Sequence, residues 1–478
     1  MGVYAAAGAL HAEFSGPDEA AYIVSGIMVR EYLAGPLWQG TSPLAFAQHY
    51  ADSYPKVAIG HWPPVYFFVQ GVWYVVTGVS RVSVLALSSL LSATFASLTV
   101  LLCRREGLRW SMAVTAGVVT VLLPIHVDSL LEIGSDVVTG IAIIVATLCC
   151  QRWIDERTPR HGVIFAVAAA VALLCKGSAF LLVLMTPLAL LLAHRRVDWL
   201  RSRETWRVVV IVVVLVLPWY YFASGWMQDE IVPGPPRSLR SAVTYAGYRN
   251  TWIFLSLCGV VMLPLALLSL RSGWHRRLPA VAMLPLATWL FLSFLSPHTE
   301  TRLLLHVVPI AVFAAAVAAG RMVPRWQEVV LLAALVLAHI PARARTKPAV
   351  GFVPAVASLM ADTSASGARI LVTSNGFGEG ALISEFALQR PSPTVTILRA
   401  SKLLQSSTWG GDDVRLHVRS AADVMRLLDQ NGVGRVVRHV SVDADPAQYE
   451  QSLNEALSQW RVLRVFGEVR IYGRPASP

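Results

Sequence analysis

Residues 83–109 read SVLALSSLLSATFASLTVLLCRREGLR. The 21 residues from Ser83 to Cys103 carry no charge, and Arg104, Arg105 and Arg109 follow at once. A helix of that length is about 31 Å long, the thickness of a bilayer's hydrocarbon core. It satisfies its own backbone hydrogen bonds, as lipid requires. The stretch therefore predicts a membrane span with a basic cytoplasmic end.

The same pattern repeats on either side. Apolar runs occur at 83–103, 110–127, 136–150, 161–175, 178–193, 207–223, 251–270, 278–296, 302–320 and 326–341, and the opening run Met1 to Glu13 adds a shorter candidate. About 11 spans are expected. Across 478 residues 55% are apolar and only 14% charged, with mean hydropathy +0.55. A soluble globular protein carries about a quarter charged residues, so a cytosolic enzyme, a disordered chain and a disulfide scaffold are excluded. The five cysteines lie in or at the ends of apolar runs and form no disulfide pattern. No basic n-region or Ala-x-Ala site marks a removable signal peptide.

Loop charge sets the expected orientation. Sixteen arginines fall in five short loops, at 104–109, 152–160, 195–207, 271–277 and 321–325. These loops alternate if each internal run crosses once and Trp62 to Thr77 lies outside as a membrane-surface helix. Residues 14–82, the loop around Glu132 and Asp136, Lys176, residues 224–250 and the turn 297–302 then face outward. Arg343, Arg345 and Lys347 are a basic stretch on that outer side. The net charge of +11 belongs almost wholly to residues 1–349, with 27 basic against 17 acidic. Basic loops facing anionic lipid account for it, and no nucleic-acid partner is implied.

Beyond residue 350 the composition is that of a small soluble α/β domain, giving domains at 1–345 and 350–478. Strands are predicted at 369–373, 394–398, 435–440, 461–466 and 469–472, with helices near 378–389, 420–430 and 446–459. The turn Gly376-Phe377-Gly378-Glu379-Gly380 lacks the Lys-Ser/Thr of a phosphate loop and reads as an ordinary strand-to-helix turn.

Ionisable residues at a membrane edge are costly and are functional candidates by default. Asp18 and Asp136 fall on the same outer surface, although each also suits a helix N-terminus. Two acids there can do acid/base or metal work. Lys176 and Arg302 at the outer ends of two spans add cations suited to a phosphate.

Six short motifs in order resemble the GT-C superfamily of polytopic glycosyltransferases, in the branch similar to aminoarabinose transferases of lipid A and protein O-mannosyltransferases. Gly16-Pro17-Asp18-Glu19-Ala20-Ala21-Tyr22 resembles the Asp-Glu-x-x-Tyr first outer loop, and His61-Trp62-Pro63-Pro64-Val65-Tyr66 the His-x-Pro-Pro-Leu-Tyr segment. Ser135-Asp136 matches the second outer acid, Leu174-Cys175-Lys176-Gly177 the Leu-Thr-Lys-Gly element, and Pro218-Trp219-Tyr220 the Pro-Trp-Tyr ending of a span. Glu300-Thr301-Arg302-Leu303-Leu304 resembles Glu-Arg-Tyr-Leu-Leu with one residue inserted.

The resemblance implies a mainly α, polytopic GT-C fold with outer juxtamembrane helices. It implies transfer of a sugar from a polyprenyl-phosphate donor to a lipid, glycan or protein acceptor, with inversion. Asp18, Glu19 and Asp136 would be the catalytic acids, with Asp18 as base or metal-associated acid. Lys176, Arg302 and Lys56 would contact the donor phosphate, with His61, Tyr22 and Glu300 in support. A divalent metal is an open expectation, with Asp18 and Asp136 as its ligands, and no nucleotide cofactor is expected. The family has a full span before the Asp-Glu loop where only about 13 residues stand here, which reads as a tilted partial helix or a late start. The Cys-poor, Ala/Arg/Val-rich composition fits a bacterial inner membrane, with the site and C-terminal domain extracytoplasmic. Two other readings are an O-antigen-type ligase or polymerase, disfavoured because residues 224–250 hold Arg237, Arg240 and Arg249 but no His, and a lipid or glycan transporter, disfavoured by charges at the edge rather than at mid-membrane.

Overall fold

The computed structural model describes residues 1–16, 18–58, 60–194, 199, 202–227, 248–296, 300–322, 326–339, 346–347, 349–362, 369–374, 378–406, 414–440 and 447–474. Each of the ten internal apolar runs is helical. Among the described residues five helices are long and apolar enough to cross a membrane: Arg81–Arg105, Asp136–Glu156, Gly177–His194, Arg203–Gly225 and Thr301–Ala319. Trp110–Leu122 and Pro124–Leu131 make a sixth if counted as one span bent by 54°. Pro124 lacks the N–H that would carry the helix through the bend. Other runs form shorter apolar helices, among them Pro159–Leu173 and Gln327–Ala338, while the run 251–270 lies in the 22-residue helix Tyr248–Ser269. At about 22 Å a 15-residue helix falls short of the hydrocarbon core. Among the described residues five helices, or six with the bent pair, meet the length and composition of a full crossing, against the 11 spans expected. The opening run contains only the five-residue helix Gly2–Ala6.

Thr301–Ala319 is the most buried of the long helices and Arg203–Gly225 the least. Five of the six alanines of Thr301–Ala319, namely Ala311, Ala314, Ala315, Ala316 and Ala319, are buried. Small residues let backbones approach closely where no water drives helices together. The face of Arg203–Met227 that carries Val210, Val214 and Leu217 is exposed, as suits a helix facing lipid.

Two helices lie at the end of this bundle that carries Asp136. Val65–Thr77 is too short to cross, exposes Phe68, Val72, Val75 and Val76 on one face, and buries Tyr66, Phe67, Gln70 and Tyr74 on the other. That is the pattern of a helix lying in a membrane surface. It packs against Glu19–Ala34 so closely that a Cβ on Gly71 would stand 2.4 Å from Val29 Cγ1.

The C-terminal unit is α/β. Strands β1 (Arg369–Ser374), β2 (Thr396–Arg399), β5 (Val433–His439), β6 (Arg461–Phe466) and β7 (Val469–Gly473) form one sheet in the order β2-β1-β5-β7-β6. Pairing is parallel among β2, β1 and β5 and antiparallel from β5 through β7 to β6. Strands β3 (Gln405–Ser406) and β4 (Arg415–Leu416) make a separate ribbon. The helix Gly378–Gln389 is buried along its whole length to Leu388, because β1 covers one side and Glu19–Ala34 another. The unit is therefore not merely appended. Phe14, Ile23 and Tyr50 share one apolar core with Phe352, Leu382 and Phe386.

Polar contacts seal that junction. The Glu13 carboxylate accepts backbone N–H bonds from Val350, Gly351 and Phe352, each 2.9 Å, at the start of the helix Phe352–Ala361. An anion is favoured at a helix N-terminus. Tyr50 and Tyr54 donate to the carbonyls of Pro391 and Arg390 at 2.9 Å, and Arg81 pairs with Glu385.

Gly351 sits at φ +120°, and a Cβ there would stand 2.1 Å from the Phe466 carbonyl oxygen. Gly351→Ala should therefore lower the melting temperature of the detergent-solubilised protein, at a cost on the order of 1–3 kcal/mol. An unchanged melt would show that the junction yields without strain.

Candidate active site

Asp18 occupies the N-cap position of Glu19–Ala34, yet its side chain makes no capping hydrogen bond. Instead its Oδ2 accepts from Arg302 Nη2 at 2.8 Å. Arg302 is the second residue of the 3-10 turn Thr301–Val307 and stands among three acids. Its Nη1 lies 4.0 Å from Asp136 Oδ2, and its Nε donates to Glu300. The other oxygen of Asp136 accepts from Lys176 Nζ at 2.6 Å. Asp18, Asp136, Lys176, Arg302 and Glu300 thus form one connected cluster drawn from four distant segments.

Local sequence explains each placement. Asp136 opens the helix Asp136–Glu156, where a carboxylate suits the positive end of the helix dipole. Lys176 immediately precedes the turn Gly177–Phe180. Burial is the largest influence on Lys176 and disfavours its charge, but the attraction and hydrogen bond of Asp136, with Tyr22, together hold the pKa above its ordinary value. The motif segments also touch one another. Val65 N–H donates to the Leu174 carbonyl at 3.0 Å, tying the His-Trp-Pro-Pro segment to the Leu-Cys-Lys-Gly element. Tyr220 hydroxyl donates to the Leu173 carbonyl at 3.1 Å. Tyr22 stacks on Trp62 with ring centroids 4.4 Å apart, and its hydroxyl meets Ser135 Oγ at 2.8 Å, beside Asp136.

Glu19 stands apart from the cluster's chemistry. It is 1% exposed, and its oxygens accept from Gly16 N–H at 2.7 Å and Ile133 N–H at 2.9 Å and pair with Lys347. Such a carboxylate is saturated and anchors the first outer loop to the segment before Asp136. Lys347, from the basic stretch that charge alone left without a purpose, is its counter-ion. Arg343 and Arg345 lie outside the described residues.

Lys56 is brought near Asp18, and at the domain junction its Cε would stand 3.2 Å from a Cβ on Gly380. Burial, with Arg399 close by, pushes its pKa down to about 8. The turn at Gly378 opens the helix Gly378–Gln389, and the Glu379 carboxylate accepts from Arg399 Nε at 3.0 Å and Ser401 N–H at 2.9 Å. Glu379 is thus tied to the end of β2 and the residues after it; residues 375–377 of the turn lie outside the described residues. His61 is half-buried at the start of the Trp62 segment.

The expected metal does not fit this geometry. Among the described residues no three of His, Cys, Asp and Glu converge as ligands. Asp18 and Asp136 each already face a cation of the chain, and Arg302 stands between them.

Beside the cluster lies an apolar cavity of about 420 Å³ lined by Ser25, Val29, Phe67, Phe68, Trp219 and Phe222 among others. Ser25 is seven residues along the helix from Asp18, about 10 Å.

Two family descriptions match this chain in sequence. Residues 61–222 match the dolichyl-phosphate-mannose-protein mannosyltransferase family, and residues 248–364 match the Alg9-like mannosyltransferase family. No curated protein matches. In structure the chain resembles ArnT from Cupriavidus metallidurans in the apo state, at TM-score 0.61 and 16% identity over 100% of this chain and 97% of that one. It resembles the same protein bound to undecaprenyl phosphate at TM-score 0.59 and 16% identity, over 99% and 96%. The oligosaccharyltransferase AglB from Archaeoglobus fulgidus matches at TM-score 0.52 and 11% identity, over 89% of this chain and 66% of that one.

The chain shares the fold of ArnT, and two of its segments match mannosyltransferase families.

Asp136, Lys176 and Arg302 lie within the matched segments, whereas Asp18 precedes both. Asp136 is 8% exposed, so removing Lys176 leaves a buried carboxylate with one distant cation. Breaking a buried pair from one side costs about 3–5 kcal/mol, and removing both charges costs much less. Lys176→Met should therefore melt at a lower temperature than the double variant Lys176→Met with Asp136→Asn. Equal melts would mean that the pair adds nothing to the fold.

Proposed function

We propose that this chain transfers a sugar from a polyprenyl-phosphate donor to an acceptor hydroxyl or amine at the extracytoplasmic face of a bacterial inner membrane. The single observation that carries the reading is Arg302 held between Asp18 and Asp136 beside an apolar cavity. The lipid tail enters laterally and rests on apolar walls such as Phe68 and Trp219.

Charge balance supplies the sequence of events. Asp18, Asp136 and Glu300 carry three negative charges against two positive on Lys176 and Arg302. A donor phosphate must therefore compete with a carboxylate for Arg302, and taking that guanidinium releases Asp18. The freed carboxylate accepts the acceptor's proton while the acceptor oxygen or nitrogen attacks the anomeric carbon. The glycosidic C–O bond breaks with inversion, and its electrons leave on the polyprenyl phosphate, whose growing charge Arg302 and Lys176 stabilise. Asp136 holds both cations in place, a positioning role rather than that of a second base. Among the described residues no three of His, Cys, Asp and Glu converge as metal ligands, and no step passes through a metal.

Purified protein offered a panel of polyprenyl-phosphate sugars with membrane extract should release polyprenyl phosphate. Asp18→Asn should lower that rate by about 10²- to 10⁴-fold, the range of a general base. No release from any donor, with donor binding intact in the variant, would overturn the reading.

Lys56 gives a second check. As pH rises through about 8 it loses the charge that attracts the donor phosphate. The KM for donor should rise across that interval in the wild type and stay level in Lys56→Arg, whose guanidinium keeps its charge. A parallel rise in both would remove Lys56 from the donor site.

A further inference from the structure

The helix Asp136–Glu156 has 21 residues and so spans about 31 Å from end to end. Asp136 at its start belongs to the active-site cluster, and the residue after its end, Arg157, therefore reaches the opposite headgroup layer. A cavity of about 630 Å³ opens there, with Trp153 and Leu190 among its apolar lining and Arg157, His194, Trp199, Ser202 and Thr205 among its polar lining.

Three features distinguish this cavity from an ordinary crevice. Arg157 Nη2 donates to His194 Nδ1 at 2.8 Å, which requires that ring nitrogen to be an acceptor, so the pair holds one positive charge. Among the described residues no carboxylate pairs with Arg157, and Glu204, which also lines the cavity, pairs with Arg207 at 3.2 Å. In a neighbouring cavity of about 430 Å³ the arginines are neutralised instead, Arg105 by Asp155 at 3.1 Å and Arg152 by Glu156 at 2.8 Å. Second, Trp199 Nε1 is buried with no acceptor. A buried donor left unmade is costly and calls for a partner. Third, Arg157 is held in the left-handed region at φ 51°, an uncommon conformation for a side chain of its size.

An uncompensated guanidinium and an orphaned indole N–H over an apolar floor call for an anion attached to something apolar. The least buried long helix, Arg203–Gly225, begins beside the cavity with Ser202 and Thr205, and its exposed valines lead from there along the lipid-facing surface. We propose that this cavity binds the phosphate-bearing headgroup of an anionic phospholipid in the leaflet opposite the active site. Arg157 and Trp199 hold the phosphate oxygens, Ser202 and Thr205 lie at the rim, and the acyl chains run down the helix Arg203–Met227. Basic pockets between membrane helices suit such headgroups.

The full chain in a non-ionic detergent should retain phosphatidylglycerol through gel filtration, counted by mass spectrometry, and should melt at a higher temperature with it than with phosphatidylcholine. Arg157→Gln and Trp199→Phe should each weaken phosphatidylglycerol binding by at least about tenfold, while Arg157→Lys keeps part of it. Trp199→Phe keeps the ring, so a loss there reports the N–H rather than packing. Equal retention by the wild type and both variants, or no preference over phosphatidylcholine, overturns the proposal. Stabilisation by inorganic phosphate alone, matching that by lipid, also overturns it and leaves a soluble anion as the ligand.

Discussion

One guanidinium organises the end of this protein that carries Asp18 and Asp136. Arg302 is the meeting point of three carboxylates, from the first outer loop, from the start of Asp136–Glu156 and from its own turn. Charges partly withdrawn from water are tolerated only when paired. Arg302 therefore fixes the distance between Asp18 and Asp136, and Lys176 fixes the other side of Asp136. Without Arg302 the two acids would repel across the gap that its guanidinium fills.

The cluster can hold that shape because the element carrying Asp18 is clamped on two sides. Below it, Glu19 bonds the backbone of Gly16 and Ile133, so the loop before the helix and the segment before Asp136 share one carboxylate. Above it, Gly378–Gln389 lies between Glu19–Ala34 and the sheet. Glu13, a few residues before the loop, caps the first helix of the C-terminal unit through three backbone N–H groups. The C-terminal unit thus braces the loop it covers, and Lys56 is buried at that junction with its charge weakened as a result.

Much of this was legible in the sequence, for identifiable reasons. Apolar length marks helices in lipid, so all ten internal runs were visible; their true lengths were not, because a break such as the one at Pro124 leaves hydropathy unchanged. Loop arginines put Asp18, Asp136, Lys176 and Arg302 on one surface, since membrane topology converts sequence parity into a side. Parity says nothing of neighbours within that surface, and the contact of Arg302 with both acids needed coordinates. Asp18 and Glu19, adjacent in sequence, looked alike as candidates, yet one faces Arg302 and the other is consumed by backbone donors and Lys347. No local pattern distinguishes them, because the deciding partners lie more than a hundred residues away. Lys347 itself looked like a misplaced basic residue until its carboxylate was seen.

Asp136–Glu156 also shows how the bilayer constrains chemistry at both of its ends. Its length is close to the hydrocarbon thickness, so sliding it by one turn, about 5.4 Å, would draw Asp136 into lipid or lift apolar residues into water. The Lys176 ion pair resists the first movement and the arginines at 152 and 157 resist the second, since a cation drawn into the core is equally costly. A headgroup held at Arg157 would strengthen that hold from the far side. The depth of Asp136, and with it the depth at which Arg302 can meet a phosphate, is then set by two layers of charge about 31 Å apart. This is an arrangement suited to an enzyme whose donor is itself anchored in the bilayer. Such a donor would present its phosphate at a depth fixed by its lipid tail, and cations held at that same depth would meet it before any bond is made or broken.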